Sequence, residues 1–447
     1  MKSLQEWLAD TFPNQIEVKE EAITEHSVVA YFKEPVTELF KLFPWSGEEN
    51  KFTSTLGIHW EQTKEVFVLK SHYYVGIWWL PTKEGEVYIK VAPKVRQNKR
   101  LNFLKVLEEI LKDSEVSRFL TGYRGDSIFL IKENAPPIKL EAFDLPYIVF
   151  LIVSYLVTLD KLAKKGLKKD YLPVEKALKN RLRGKVLITK TFKRFHSRTD
   201  ITSNICRFYL YSVDSLENRI LKLALWKIKQ FLLSPAGQFL NNTFLSTKLK
   251  ELLHLFEPVS LVKISNRDFQ RVKINPFYGE YRVALKLAYA ILNWLGFEPF
   301  EAVTSKGTFF VYPYRINMPL LFELYVYSLL RKQEKDVLFQ TEYTRRKLRP
   351  DFILPEKGII ADAKYKEGKT PDVEDLKQLS LYGRIQKLRN LFKREPTLVL
   401  IYPDFEGKNE TSLLSGESMQ NSHEREMLQD FHDMEIWRIP VPLEEVS

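Results

Sequence analysis

The sequence predicts a multidomain α+β protein with a β-rich N-terminal domain (residues 1–140), a helical middle region (141–300) and a C-terminal α/β domain (301–447). Three observations favour this class. Short runs rich in β-branched and aromatic residues dominate the first part, apolar residues at helical spacing dominate the second, and the two patterns alternate in the third. A chain of 447 residues is long enough for two or three domains with buried cores.

Composition narrows the class of protein further. The chain is 45% hydrophobic and 28% charged, which is typical of a globular protein and excludes long disorder or a fibrous repeat. The single cysteine, Cys206, excludes a disulfide framework, and the seven scattered histidines do not favour a histidine-based zinc site. The N-terminus lacks a signal-peptide pattern. We therefore expect a cytoplasmic protein that does not enter a membrane.

In the N-terminal domain, three runs have the composition of strands: residues 66–69, 73–80 and 86–91. The last two are separated by a stretch of hairpin length, and apolar residues at helical spacing predict a helix over 101–111. Trp78 and Trp79 lie in one of these strands. They could form an exposed binding patch, but the core of the sheet is the more common place for such residues.

The middle region begins with the longest apolar run of the chain, residues 145–159. Its length of about 15 residues is short of the roughly 20 needed to span a bilayer, so the run predicts a buried core helix, with Asp144 as its N-cap. A pattern resembling a capping box at 214–217 opens a further helix, and an apolar helix over 280–295 ends at Gly296.

The formal charge of +11 is concentrated in the middle region. Residues 161–198 contain 14 Lys and Arg residues opposed only by Asp170 and Glu175, which leaves the rest of the chain nearly neutral. A local basic stretch is the expected footprint of a polyanion such as nucleic acid, and the alternative is a solvated helix face. The candidate DNA contacts are Lys185, Lys190, Lys193 and Arg194.

The C-terminal domain is predicted to contain a sheet with helices on its faces. Its predicted strands are 308–312, 351–354, 359–366, 397–402 and 436–439, and its predicted helices are 318–332 and 373–392. If residues 355–358 form the loop between two of these strands, the residues flanking the loop pair, and Asp351 lies directly opposite Asp362. Lys364 points to the same face, because side chains alternate along a strand.

Two carboxylates and one ammonium on one face of a hairpin suit phosphodiester hydrolysis. Opposed carboxylates repel one another unless a cation lies between them, so Asp351 and Asp362 are candidate ligands of Mg²⁺, with Mn²⁺ as a substitute. A bound metal lowers the pKa of a water molecule, and Lys364 beside it is placed to orient the attacking hydroxide and to stabilise the transition state. The alternative is a surface ion-pair cluster.

Three further residues are candidates for the same site. Gln378 and Tyr382 have i,i+4 spacing on a predicted helix and therefore share one face, although they could also be a half-buried surface pair. Glu323 is an acid inside the apolar run of residues 318–326. Its alternative role is that of a partly buried acid in a salt bridge, because buried acids are usually paired.

Together, Pro350-Asp351, Asp362-Ala363-Lys364 and Gln378-x-x-x-Tyr382 resemble the motifs of the PD-(D/E)xK nuclease superfamily, in the branch with an additional Q-x-x-x-Y helix. More narrowly, residues 318–384 resemble the McrC nuclease subunits of McrBC-type restriction systems, which act on DNA containing modified cytosine such as 5-methylcytosine. The resemblance of the N-terminal half is weak.

This resemblance implies a C-terminal PD-(D/E)xK nuclease core that cleaves DNA with Mg²⁺. Asp351 and Asp362 would be metal ligands, Lys364 the catalytic lysine, and Gln378 and Tyr382 auxiliary site residues. The resemblance also implies that the N-terminal region docks on a hexameric McrB-like ring of an AAA+ GTPase, which recognises double-stranded DNA with modified cytosine and translocates it. The sequence itself contains no G-x-x-x-x-G-K-[ST] motif, so nucleotide hydrolysis is expected from the partner.

Two alternatives to this function remain open at the level of sequence. The chain could be a non-catalytic regulator that docks on and stimulates an NTPase ring, with the nuclease fold as a scaffold. It could also be a stand-alone nuclease for DNA repair. Loss of cleavage on substitution of the site residues would separate the first alternative from an enzyme, and independence from a partner would identify the second.

Overall fold

The computed structural model describes most of the chain. The described residues are 2–11, 16–18, 28–32, 59–62, 67–71, 73–81, 86–96, 99–121, 127–132, 135–140, 144–235, 237–240, 243–272, 278–297, 309–342, 348–366, 371–392, 395–405, 425–427 and 434–445. Strands and helices both occur in the N-terminal, middle and C-terminal parts of these residues, which confirms a mixed α+β protein.

The elements are numbered in chain order. The strands are β1 (Lys2–Ser3), β2 (Ile16–Val18), β3 (Val28–Phe32), β4 (His59–Gln62), β5 (Phe67–Lys70), β6 (Tyr74–Pro81), β7 (Glu86–Val91), β8 (Val95–Arg96), β9 (Lys99–Leu101), β10 (Phe129–Ile131), β11 (Ile138–Leu140), β12 (Asp170–Lys179), β13 (Lys185–Val186), β14 (Ser203–Ser212), β15 (Phe309–Val311), β16 (Tyr314–Asn317), β17 (Leu338–Phe339), β18 (Phe352–Leu354), β19 (Ile359–Ala363), β20 (Thr397–Asp404), β21 (Arg425–Met427), β22 (Met434–Pro440) and β23 (Leu443–Glu445). The α-helices are α1 (Leu4–Thr11), α2 (Phe103–Lys112), α3 (Ser114–Ser117), α4 (Leu145–Lys165), α5 (Ile188–Arg194), α6 (Leu216–Leu233), α7 (Thr243–Leu255), α8 (Asn266–Arg271), α9 (Gly279–Leu295), α10 (Met318–Gln333), α11 (Val373–Gly383) and α12 (Gln386–Phe392).

By spatial proximity, the chain divides into two compact units. The first contains residues 1–138, 145–147 and 312–447, and the second contains residues 139–144 and 148–311. The N-terminal and C-terminal parts, which the sequence places in separate domains, therefore share the first unit. The physical reason is strand pairing over long range, because β16 pairs antiparallel with β6 and β23 pairs antiparallel with β9.

The N-terminal part of the first unit contains a five-stranded sheet in the order β1-β7-β6-β16-β10. The three strands predicted there are confirmed as β5, β6 and β7, and the predicted helix as α2, whose N-cap Asn102 accepts a hydrogen bond from the N–H of Lys105 at 3.0 Å. Trp78 and Trp79 are both half-buried, and Trp79 Nε1 donates to the carbonyl oxygen of Pro136 at 2.7 Å. The two tryptophans are thus neither exposed as a binding patch nor fully buried in the core of the sheet.

Helix α4 contains the apolar run at 145–159 and confirms it as a buried helix, since most of its apolar side chains are inaccessible to solvent. The helix continues to Lys165 and is thus longer than the run, because the added residues are mostly Lys, Leu and Ala, which are good helix formers. Among the described residues it is the one helix long and apolar enough to cross a membrane. Of its apolar window, 72% is buried inside the fold, as in a core helix.

The two other helices predicted for the middle region are also confirmed, as α6 and α9, and they pack against each other. The Oγ atom of Ser215 accepts the hydrogen bond that caps α6, from the N–H of Asn218 at 3.4 Å. Helix α9 ends where predicted, because Gly296 adopts a positive φ of 91° that favours glycine and donates its N–H to the carbonyl oxygen of Leu292.

The middle region also contains a sheet, which the prediction of a mainly helical region did not include. Residues 170–212 contain a three-stranded antiparallel sheet in the order β12-β14-β13, and β12 pairs with β14 over ten residues. This sheet and α5 carry six of the fourteen basic residues, and α4 and the connecting segments carry the others. The omission has a physical cause: most side chains of β12 are exposed, so the strand lacks the apolar alternation by which a half-buried strand is identified.

The C-terminal part of the first unit contains a six-stranded mixed sheet in the order β17-β18-β19-β20-β22-β21. Strands β18 and β19 pair antiparallel with Leu354 opposite Ile359, which confirms the predicted register. Strands β19, β20 and β22 run parallel, and Ile353, Ile360 and Leu400 are fully buried in the core of this sheet.

The helix predicted over 373–392 is two helices, α11 and α12. Helix α11 ends at Gly383, where a Cβ atom would lie only 3.1 Å from the methyl groups of Leu398 on β20. The close approach of helix and strand favours glycine, and Arg384 closes the helix by donating its N–H to the carbonyl oxygen of Leu381. Helix α11 packs on β19 and β20 in the middle of the sheet and brings Gln378 to Lys364.

Candidate active site

The two aspartates lie at the end of the β18–β19 hairpin, as the register requires. Asp351 directly precedes β18, and Asp362 lies in β19. The neighbouring residues Phe352 and Ala361 pair across the hairpin, so Asp351 and Asp362 are the next two opposed residues. Asp351 Oδ2 accepts a hydrogen bond from the N–H of Ala363 at 2.8 Å, which fixes its carboxylate across the hairpin. The two carboxyl groups are close enough for each to influence the pKa of the other.

The two aspartates differ in exposure, because Asp362 is buried and Asp351 is half-buried. The Asp362 residue is 1% exposed, and burial raises the pKa of its carboxyl against the opposing effect of Lys364. Burial, the Glu323 carboxylate and the Asp362 carboxylate together raise the pKa of Asp351 well above its usual range. Two acids in a poorly solvated site favour the uptake of protons or of a cation.

Lys364 continues the same face of the hairpin. Its Nζ lies 2.6 Å from Asp362 Oδ2 and donates to Gln378 Oε1 at 2.8 Å. Burial lowers the pKa of Lys364, but the neighbouring Asp362 carboxylate outweighs this effect and the net shift is upward. The ammonium therefore remains charged at neutral pH. The lysine side chain is half-buried and its aspartate partner is buried, with 18% and 2% of the side chains exposed.

Gln378 and Tyr382 extend the chain of contacts from Lys364. The side-chain amide of Gln378 accepts from Lys364 through its oxygen and donates to Tyr382 Oη through its nitrogen at 2.7 Å. Tyr382 is buried in the core between α11 and the sheet. The predicted i,i+4 pair is thus connected to the lysine, with Gln378 exposed and Tyr382 buried.

Glu323 lies on α10 and faces the same group of acids. Burial and the Asp362 carboxylate raise the pKa of Glu323 to about 7. Its Oε2 atom accepts a hydrogen bond from Gln340 Nε2 at 2.5 Å. An amide therefore holds this acid, instead of the salt-bridge partner that the alternative interpretation of the sequence required.

Four residues of the site environment were not predicted: Gln340, Lys366, Asp375 and Tyr402. Asp375 is 4% exposed and accepts from Lys366 Nζ at 2.8 Å and from Tyr402 Oη at 3.2 Å, and its Oδ1 lies 4.0 Å from Lys364 Nζ. Spacing could have indicated two of them, because Asp375 precedes Gln378 by three residues on one helix face and Lys366 follows Lys364 by two along the chain. No local pattern indicates Gln340 or Tyr402.

The site fits Mg²⁺ with few protein ligands. Asp362 Oδ2 is fully buried and has no aligned hydrogen bond, although Lys364 forms an ion pair with it. Within the described ranges, no three His, Cys, Asp or Glu side chains form a group that could hold a metal ion. Mg²⁺ usually needs only one or two carboxylates, because it keeps several waters and accepts phosphate oxygens. Asp351 and Asp362 satisfy that requirement.

The basic residues predicted to contact DNA belong to the second unit. All of them are exposed: Lys185, Lys190, Lys193 and Arg194. Lys190 Nζ lies 2.5 Å from Glu175 Oε2, and Arg194 lies over the ring of Phe195 at 5.6 Å from its centroid. Arg207 binds the same Glu175 carboxylate. DNA contact by these four residues stays a prediction.

The fold and the site define an α+β protein in which three carboxyl groups and one lysine gather where β18 begins and β19 ends. Residues 69–403 match the family model of the McrBC 5-methylcytosine restriction system component. The match spans well over half of the chain, and the chain therefore belongs to this family, as its C-terminal motifs predicted.

Two solved structures are similar to this chain. One is the refined half-complex from a tetradecameric assembly of Thermococcus gammatolerans McrB AAA+ hexamers with bound McrC, with 16% identity, a TM-score of 0.37, and coverage of 94% of this chain and 94% of that chain. The other is the Thermococcus gammatolerans McrBC complex, with 17% identity, a TM-score of 0.31, and coverage of 69% and 86%. No curated protein matches the chain.

Proposed function

We propose that this chain is the McrC-like, Mg²⁺-dependent endonuclease subunit of a modification-dependent restriction complex, with a PD-(D/E)xK core. One observation carries the proposal: Asp351, Asp362 and Lys364 converge at one edge of a buried hairpin, and the lysine is tied to a Q-x-x-x-Y helix. Membership of the McrBC family supports the restriction context.

The chemistry assigned to each residue follows from its position. Mg²⁺, when bound, supplies a water of lowered pKa and offsets negative charge on the phosphate. Asp351 and Asp362 would hold the ion, because both carboxylates face each other across the hairpin. Lys364 is held by Asp362 and Gln378 and stays protonated, so it can orient a nucleophile and stabilise the charge that develops on phosphorus. Tyr382 fixes Gln378, and Glu323 adds a third acid nearby.

The substrate and the partner follow from the family. The family description names a 5-methylcytosine restriction system, so we propose double-stranded DNA with modified cytosine as the substrate. The similar structure contains McrB AAA+ hexamers with bound McrC, and we propose a McrB-like hexameric GTPase as the partner of this chain. The absence of a phosphate-binding loop motif from the sequence supports a division in which the partner hydrolyses the nucleotide.

The test is cleavage of methylated DNA by the purified chain together with its GTPase partner and Mg²⁺. Asp351→Asn and Asp362→Asn should abolish cleavage, while stimulation of the partner's GTPase activity persists, because the ring contact does not need the acids. Asp336→Asn, an exposed acid in the turn after α10, is the matched control and should cleave normally.

Three outcomes separate the candidate functions. If the Asp variants still cleave, the site assignment is wrong. If the native chain never cuts DNA with Mg²⁺ or Mn²⁺ but stimulates the GTPase, the chain is a regulator. If it cuts equally well without the partner, it is a stand-alone nuclease. Deletion of residues 1–140 cannot replace this comparison, because β6 and β16 belong to one sheet and the deletion would remove part of it.

A further inference from the structure

Gln340 has a backbone conformation that glutamine rarely adopts. It follows β17 with a φ of 42°, in the left-handed region, and among the described residues only Asn180 and Thr199 share a positive φ without being glycine. Asparagine tolerates this region, because its short side chain can bond locally, but glutamine has no such advantage. An unfavourable conformation of this kind persists only where the surroundings hold it, and such positions cluster at functional sites.

Two hydrogen bonds hold Gln340, and both lead to the acidic site. Its main-chain N–H donates to the carbonyl oxygen of Asp351 at 2.8 Å, and its side-chain Nε2 donates to Glu323 Oε2 at 2.5 Å. Gln340 therefore connects Asp351, the residue before β18, with Glu323 in the middle of α10. The main-chain bond continues the antiparallel ladder of β17 and β18 beyond the pair of Phe339 and Phe352, whereas the side-chain bond to Glu323 is additional to strand pairing.

The choice of an amide matters for the charge of the site. A lysine or arginine at this place would form an ion pair with Glu323, whereas the neutral amide fixes one carboxylate oxygen without adding a charge. The three acids do not form a three-ligand group within the described part of the chain. Glu323 would therefore meet a divalent cation through a water molecule, and Mg²⁺ commonly keeps several.

We propose that Gln340 is a positioning residue that orients the Glu323 carboxylate towards a divalent cation held by Asp351 and Asp362. This inference rests on the proposed nuclease function. The residue touches neither substrate nor cation and acts through Glu323 and through the main chain of Asp351. Groups that orient the surroundings of a bound metal typically contribute about 10- to 100-fold to metal affinity or activity.

The test combines metal binding, cleavage and stability in Gln340→Gly and Gln340→Glu. Glycine removes the side-chain bond but suits the left-handed backbone, so Gln340→Gly should keep the melting temperature of the native chain. Its Mn²⁺ affinity, measured by calorimetry without DNA, should fall by about 10- to 100-fold, and the half-saturating Mg²⁺ concentration for cleavage should rise by a similar factor. Gln340→Glu, which places a like charge beside Glu323, should fall further in cleavage at limiting Mg²⁺.

Thr199→Gly is the matched control, because it makes the same change at another left-handed position, in the second unit. It should leave Mn²⁺ affinity unchanged. If Gln340→Gly binds Mn²⁺ like the native chain and needs no additional Mg²⁺, the positioning role is overturned while the proposed function stands. If the native chain cuts no DNA but binds Mn²⁺, the calorimetry alone decides the role of Gln340. If the native chain binds no divalent cation, both proposals fall.

Discussion

Each unit contains a lysine–carboxylate pair of nearly equal length, but the two pairs have opposite surroundings. Lys364 Nζ lies 2.6 Å from Asp362 Oδ2 in the first unit, and Lys190 Nζ lies 2.5 Å from Glu175 Oε2 in the second. The side chains of the first pair are 18% and 2% exposed, and those of the second are 60% and 32% exposed.

The pKa values of the two acids respond in opposite directions. Hydrogen bonds from Lys190 and Arg207 lower the pKa of Glu175, whereas burial raises the pKa of Asp362 in spite of its lysine. The length of an ion pair therefore does not decide its role. Burial decides it, because a charge that water cannot screen must be balanced by specific neighbours.

The largest difference should appear when each lysine loses its charge. Lys364→Met removes a buried ammonium beside the proposed metal site, and we expect the rate of DNA cleavage to fall by about 100- to 1,000-fold, as on loss of a transition-state donor. Lys190→Met should leave the rate at saturating DNA unchanged, because its charge is screened by water. Single-turnover cleavage at saturating DNA measures both. Equal losses of cleavage rate in the two variants would contradict the different roles assigned to the two lysines.

A second difference concerns pH. Glu323 has a folded-state pKa of about 7 against an ordinary 4.5, so the folded state holds its proton more tightly than the unfolded state. The metal-free protein should therefore lose stability as pH rises from about 4.5 to 7, by on the order of 3 kcal/mol, since one pKa unit corresponds to about 1.4 kcal/mol. Urea unfolding with a chelator present, across that pH range, measures the loss.

Glu323→Gln should make this decline smaller, and Mg²⁺ should oppose it in the native chain. Glu175 supplies the opposite sign: its pKa is lowered in the folded state, so its contribution is present above the unfolded pKa and is lost as pH falls. Glu175→Gln should leave the decline between pH 4.5 and 7 in place. A native-like decline in Glu323→Gln would show that this carboxyl does not titrate as described.

The smallest effect is expected from the exposed basic residues, and it should be seen in DNA binding only. Charge reversal at Lys190, Lys193 and Arg194 should weaken binding and reduce the dependence of affinity on salt, by about 0.9 in the logarithmic slope for each phosphate that the protein no longer neutralises. Reversal at Lys250, an exposed lysine of α7 in the same unit, is the control. An unchanged slope in the triple variant would assign the basic stretch to a solvated surface.

Local pattern was sufficient for much of the first unit's chemistry. The pairing of Leu354 with Ile359 follows from a four-residue loop, and the alternation of side chains then brings Asp351, Asp362 and Lys364 together. The same local reasoning failed for β12, because most of its side chains are exposed and Lys176 interrupts the apolar residues of its inner face. It also merged α11 with α12, since the break depends on the approach of Leu398 to Gly383.

The sequence by itself determined the mixed class of fold, the buried nature of α4 and the register of the β18–β19 hairpin. These features depend on neighbours within a few residues or one short loop, where spacing specifies which side chains meet. Only the tertiary structure decided that residues after 311 rejoin the N-terminal sheet and that Gln340 holds Glu323. It also decided that Asp375 lies between Lys366 and Tyr402. Such contacts join distant parts of the chain, and they cannot be predicted from composition or periodicity.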